Sequence, residues 1–139
     1  MGAQKIMSFN SISKNAKKVN SFLLSNLHGN PEEIYEAASY LIEHGGKRLR
    51  PFMVIKSCEI LGGTIKQALT AAAAIEMVHN FTLIHDDIMD QSPKRRGKPS
   101  LYMALGGNHY GISQAINVGD IGLYLPIKII SKTSFSAEL

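Results

Sequence analysis

The sequence has one cysteine, no long apolar run and no alternating apolar pattern, and each shortage closes off a class of protein. A single cysteine, Cys58, excludes an internal disulfide. With no His partner close by, it reads as a small core residue, which fits a reducing compartment. No stretch reaches the roughly eighteen apolar residues that signal a bilayer span, and the N-terminus has no apolar signal core, so the expectation is a soluble, cytoplasmic chain without a membrane span. Met1-Gly2 does not open a myristoylation signal, because Ile6 stands where Ser or Thr is required. No Ser-His-Asp or Cys-His arrangement is present, which argues against a covalent nucleophile. There is no internal repeat, no low-complexity tract and no strand periodicity.

What is present is ordinary globular material: 139 residues, 45% hydrophobic and 19% charged. That is enough for one domain with a real core. The formal charge is +4, and the excess is concentrated at residues 47–50 and 94–98, with a further lysine group at 14–18. Concentration of this kind points to anionic ligands more than to a uniformly basic surface. The basic residues interleave with carboxylates and lack accompanying exposed aromatics, so no nucleic-acid partner is expected.

The spacings predict an all-α chain of about five or six helices. Phe9, Ile12, Ala16, Val19, Leu23 and Leu27 recur every three or four residues, the mark of an amphipathic helix. After Gly29, Asn30 can cap a second helix with Pro31 in its first turn. Glu32 and Glu33 suit the positive end of that helix, whose apolar face carries Ile34, Ala37, Ala38, Leu41 and Ile42. Gly45-Gly46 stops it, and Pro51 is expected to begin a short apolar helix closed by Gly62-Gly63. Thr64 can cap the longest helix, about 40 Å from there to Met89, with Ala71 to Ala74 allowing close packing. Ser100 can cap a helix through Ala104, and Gly111 to Asp120 reads as the start of another. Beyond that Gly122 and Pro126 are expected to interrupt the pattern, and Lys128 to Leu139 shows no clear packing face.

Two stretches carry chemistry. In His85-Asp86-Asp87-Ile88-Met89-Asp90, helical geometry sets Asp86 and Asp90 on one face, with Asp87 about 100° round the axis and able to reach the rim of the same site. Two hard carboxylates at that spacing suit Mg²⁺, which completes its shell with water and substrate phosphate. The following Lys94-Arg95-Arg96-Gly97-Lys98 supplies permanently charged planar forks for phosphate oxygens. The plain alternatives are a solvated helix end and an exposed turn. Against them stands the position of the acids at the end of the apolar run Ile75 to Ile84, where charge needs a reason. The second stretch is Gly45-Gly46-Lys47-Arg48-Leu49-Arg50-Pro51. Its glycines let backbone amides approach an anion while Lys47 and Arg50 add charge, although a helix-to-helix turn with solvated cations reads equally well. His79 lies seven residues before Asp86 and shares its face with Leu83 and Asp90.

Gly45-Gly46-Lys47-Arg48-Leu49-Arg50-Pro51, His79, Asp86-Asp87-x-x-Asp90, Arg95-Arg96-Gly97 and Asn117-Val118-Gly119-Asp120 resemble, in order and spacing, the trans-isoprenyl diphosphate synthases, or polyprenyl synthetases. The likeness spans about residues 30–120 and is strongest to short-chain members such as geranylgeranyl and farnesyl diphosphate synthases. It implies a helical-bundle fold and Mg²⁺-dependent condensation of an allylic diphosphate with isopentenyl diphosphate. By resemblance, Asp86 and Asp90, supported by Asp87, would hold Mg²⁺ on the allylic diphosphate that Arg95 also contacts. Lys47, Arg50, His79 and Arg96 would bind the diphosphate of isopentenyl diphosphate. Phe81, five positions before Asp86, and Thr82, four before, occupy the positions that limit product length. A single aromatic at the fifth position resembles the archaeal geranylgeranyl type, implying a twenty-carbon product with fifteen as the alternative. Phe81 points about 140° away from Asp86 and Thr82 only about 40°, so Phe81 would reach the pocket from its side or serve as core packing alone.

The likeness also implies a second Asp-rich motif and a domain at least twice as long. Nothing here corresponds to that motif; the only acid after Asp120 is Glu138. The expectation is therefore a single truncated polyprenyl synthetase domain over 1–139, with a divergent tail at 121–139, inactive alone. A non-catalytic helical partner of a longer synthase is the other reading, and association as a homodimer or with such a synthase is expected for both.

Overall fold

The computed structural model describes residues 9–133, with side chains from residue 12 onward. Phe9 of the expected apolar face, Met1, Gly2 and Ile6 of the N-terminus, and Glu138 in the tail lie outside these described side chains. Six helices and one small hairpin follow in order: α1 (Phe9–Asn26), α2 (Glu32–Glu43), α3 (Leu49–Ile60), α4 (Ile65–Met89), β1 (Lys94–Arg95), β2 (Lys98–Pro99), α5 (Leu101–Ala104) and α6 (His109–Ile130). The expected helical class is what the chain adopts.

The central element is α4, packed against α6, α3, α1 and, toward its C-terminal end, α5. Its start is fixed by a capping box: the Thr64 hydroxyl accepts from the Gln67 backbone N–H, and the Gln67 side chain accepts from the Thr64 backbone N–H. Both are otherwise orphan donors of a helix N-terminus. Ala72, Ala73 and Ala74 are buried, and their small side chains let neighbouring helices approach closely. The core continues through Met77, Phe81 and Ile84 on α4, Val19 and Leu23 on α1, Ile55 on α3, and Val118, Leu125 and Ile129 on α6.

The sequence reading needs correction at four places. α2 is capped by Pro31 without a side-chain hydrogen bond, so Asn30 does not serve as its cap. α3 begins at Leu49, with Arg48 as cap in the left-handed region, so Pro51 falls inside its first turn. Pro is tolerated there because the first N–H groups of a helix have no internal partner to lose. α6 runs unbroken through Gly122 and Pro126, and Leu125, Pro126 and Ile129 are buried, giving the later segment the packing face its pattern hid. A β-carbon on Gly122 would lie 1.6 Å from Phe81 Cγ, so glycine there admits the phenyl ring rather than ending the helix. The loop after α4, finally, is a two-stranded antiparallel hairpin pairing Lys94 with Pro99 and Arg95 with Lys98. Its two turn residues, Arg96 at φ 53° and Gly97 at φ 79°, both take the positive values that a type I′ turn demands.

Candidate functional site

α2 ends at Glu43 with His44 as its cap, and the chain turns through Gly45 and Gly46 into Lys47, Arg48 and α3. α4 passes this loop on one side and the hairpin reaches over it on the other. Together they border an open cavity of about 360 Å³ with Lys47, Arg50, His79 and Arg96 in its wall. The four residues picked out for one diphosphate thus line one cavity, although they come from three separate parts of the sequence. Arg96 is tied in place: Nη1 donates to the carbonyls of Leu41 (3.1 Å) and Gly45, and Nη2 to Asn80 Oδ1 at 3.4 Å. Burial, followed by the nearby Arg48 charge, pulls the Arg96 pKa below its usual value. The His79 imidazole is likewise held below its ordinary 6.5, first by burial and then by the Arg50 charge. Near neutral pH His79 is therefore an uncharged hydrogen-bonding group beside three cations.

The acidic end of α4 is built differently. Asp87 is 1% exposed, and its carboxylate is gripped by Arg95, whose Nε lies 2.8 Å from both oxygens and whose Nη2 lies 2.8 Å from Oδ1. The sequence put Asp87 at the rim of the acidic site; its side chain instead turns inward to a charge-assisted fork. That hydrogen bond raises the Arg95 pKa, with Asp86 and Asp90 adding smaller electrostatic contributions. Asp86 is half-buried and Asp90 exposed at the C-cap. Among the described residues neither forms an ion pair, and no group of three or more His, Cys, Asp or Glu side chains converges on one point. Two uncommitted carboxylates one turn apart fit Mg²⁺, which needs only one or two and takes the rest of its shell from water and phosphate.

The chain-length candidates part company. Phe81 is enclosed, 1% exposed, with its ring over Gly122 of α6. Thr82 is exposed, and its hydroxyl donates to the His79 carbonyl at 2.9 Å. In the Gly-Asp motif, Asp120 Oδ1 lies 3.6 Å from His85 Nε2, which also sits 3.2 Å from the Ile116 carbonyl.

The polyprenyl synthetase family model matches residues 31–139. The chain belongs to the polyprenyl synthetase family. It is 46% identical over 102 residues to a geranylgeranyl diphosphate synthase of Methanosarcina mazei, covering 73% of this chain and 30% of that protein. A geranylgeranyl diphosphate synthase of Sulfolobus acidocaldarius is 44% identical over 103 residues, covering 74% of this chain and 30% of that one. Among solved structures, a geranylgeranyl pyrophosphate synthetase from Geoglobus acetivorans superposes with a TM-score of 0.82 at 41% identity over 91% of this chain and 40% of its own. That of Pyrococcus horikoshii gives 0.84 at 35% identity, over 94% and 38%. The chain spans about 30% of the length of these sequence relatives.

Within this polyprenyl synthetase fold, the sequence reading passed over Arg48, Glu76 and Asn80. Arg48 is 2% and Glu76 3% exposed, and they form a buried ion pair at 2.9 Å. Asn80 Nδ2 donates to the Glu76 carbonyl at 2.8 Å, and its Oδ1 receives Arg96. A signal existed: Glu76 and Asn80 are polar residues one turn apart in the middle of an apolar helix, and polar groups there require partners. None of the described helices is long and apolar enough to cross a membrane.

Proposed function

We propose that this chain carries the diphosphate-binding portion of a Mg²⁺-dependent prenyltransferase that joins an allylic diphosphate to isopentenyl diphosphate in the cytoplasm. The observation that carries this reading is the convergence of Lys47, Arg50, His79 and Arg96 on one cavity beside the acidic end of α4. The names of the relatives, geranylgeranyl diphosphate synthases from several organisms, support it.

In this reading the cavity takes the diphosphate of isopentenyl diphosphate, with Lys47, Arg50 and Arg96 offering charge and neutral His79 a hydrogen bond. Asp86 and Asp90 hold Mg²⁺, which when bound supplies neutralisation of the diphosphate leaving group. Arg95, oriented by Asp87, faces the allylic diphosphate. Fixed donors of this kind stabilise charge that develops on the leaving group without reorganising during the reaction. The resulting allylic cation is attacked by the alkene of the second substrate, and loss of a proton completes the product. No protein nucleophile is involved. Phe81 and Thr82 limit the product to twenty carbons, with fifteen as the alternative. In an active synthase carrying this segment, Phe81→Ala is expected to lengthen the product, and unchanged length on chromatography refutes that role.

The sequence holds one Asp-rich motif, so the 139 residues by themselves are expected not to turn over, and activity requires sequence that carries the second; association as a homodimer or with a longer synthase is the expected assembly. A second reading, a non-catalytic helical partner of such a synthase, is favoured by the exposed Leu123, Tyr124 and Ile127 on α6. A radiolabelled condensation assay with Mg²⁺, run on the purified chain alone and mixed with a full-length synthase, tests both. Turnover by the chain alone overturns the requirement for the second motif. Binding of inorganic pyrophosphate with no contribution of this chain's cavity residues to turnover in the mixture favours the partner reading.

A further inference from the structure

Two features oppose an anion in the diphosphate cavity, one in its wall and one behind Arg48. Glu76 lines it with a buried carboxylate. The chain end of α2, where the Ile42 and Gly45 carbonyls emerge, adds the negative end of a helix dipole. Arg48 sits on both. Its Nη1 donates to Glu76 Oε1 at 2.9 Å and to the Gly45 carbonyl at 3.1 Å, and its Nη2 donates to the Ile42 carbonyl at 2.8 Å. Its Nε donates to Asn20 Oδ1 at 2.7 Å. Every guanidinium nitrogen is engaged and the side chain is 2% exposed, so Arg48 is committed to the wall although it lies between Lys47 and Arg50 in sequence. Its left-handed backbone, φ 50° and ψ 36°, is a conformation that ordinary residues adopt only under constraint. Four hydrogen bonds to three separate elements supply that constraint.

We propose that Arg48 is a positioning residue of the diphosphate cavity, cancelling the charge of Glu76 so that Lys47, Arg50 and Arg96 act on the anion undiminished. Glu76 is then an electrostatic brake on anion binding, and Arg48 is what releases it. The proposal rests on the cavity being a diphosphate site, and its test separates the two.

The probe is inorganic pyrophosphate, titrated calorimetrically into the 139-residue chain, with two-dimensional NMR spectra to establish that each variant is folded. Glu76→Gln keeps an oxygen able to accept from Arg48 but removes the negative charge, and is expected to bind pyrophosphate about threefold or more tightly. Arg48→Met uncovers Glu76 and is expected to bind about tenfold more weakly, while the Arg48→Met/Glu76→Gln double variant returns to within about threefold of wild type. A purely structural arginine predicts the opposite pattern: Glu76→Gln no tighter, and the double variant no better than Arg48→Met. Should Arg48→Met fail to fold, Glu76→Gln alone decides, since unchanged or weakened binding overturns the proposal. Lys47→Gln tests the cavity itself. Wild-type binding that Lys47→Gln weakens, combined with no gain in Glu76→Gln, overturns only the role of Arg48. Absence of wild-type binding overturns the cavity reading and the proposal with it.

Discussion

The loop between α2 and α3 and the acidic end of α4 carry opposite charges but share one plan, a buried member that anchors and neighbours that stay open. In Lys47-Arg48-Leu49-Arg50 one cation is buried on Glu76, and its neighbours Lys47 and Arg50 line the cavity. In Asp86-Asp87-x-x-Asp90 one acid is buried on Arg95, and its neighbours Asp86 and Asp90 are left toward solvent. Each cluster therefore gives up one member to hold the rest. The surroundings diverge from there. The buried cation is tied to α1, to α4 and to the end of α2 and the turn after it by four hydrogen bonds, whereas the buried acid is held by Arg95 alone; around them Lys47, Arg50 and Asp90 are exposed and Asp86 is half-buried. In each cluster the anchor is fixed and the side chains offered to a ligand are free to adjust.

The comparison breaks most visibly at its buried members. Asp87→Ala strips Arg95 of its partner inside the fold and is expected to cost about 3–5 kcal/mol of stability, against less than about 0.5 kcal/mol for Asp90→Ala, as read by urea unfolding. Equal effects would dissolve the division between anchor and ligand. Next in size, Lys47→Ala or Arg50→Ala is expected to weaken pyrophosphate binding by about 1.5–3 kcal/mol, roughly ten- to a hundredfold, with unfolding little changed. Calorimetry beside urea titration checks both halves of that statement. The smallest effect belongs to His79. Its pKa is lowered in the folded chain, so its contribution to stability is fully present above about pH 6.5 and is lost as pH falls toward the folded value. A bound pyrophosphate favours the protonated ring, so His79 should add a proton uptake to binding as pH falls from about 7.5 to 6, on top of the protonation of pyrophosphate itself. His79→Gln should lower the number of protons exchanged on binding relative to wild type, in calorimetry run in two buffers of different ionisation enthalpy.

Much of this was legible in the residues. The Thr64 cap and the apolar periods of α2 and α4 follow from local rules that tertiary structure did not override, whereas the grouping of Lys47, Arg50, His79 and Arg96 came from the family resemblance and not from any local rule. Pro126 and Gly122 misled because their local penalties are real but smaller than the burial of Leu125 and Ile129 and the fit of Phe81 against the glycine. The hairpin was invisible because two-residue strands show no period, and its turn places an arginine at positive φ where Asn or Asp is the usual sign. The fates of Arg48 and Asp87 could not be read at all, since which member of a like-charged run turns inward depends on what lies across the fold. Only Glu76, a carboxylate stranded among alanines and methionine, hinted that a cation had to come to it.

The hairpin divides its two arginines between the two regions: Arg95 goes to Asp87, and Arg96, one peptide bond later, goes to Gly45 and Asn80. A surface turn normally tolerates gain or loss of a residue. Here a one-residue insertion between Lys94 and Arg95 would turn both guanidinium groups and undo the anchor on Asp87 and that on Gly45 and Asn80 in one event. This short exposed turn should therefore be among the least length-tolerant parts of the chain, and a library of one-residue insertions scanned along it would locate that intolerance to the residue.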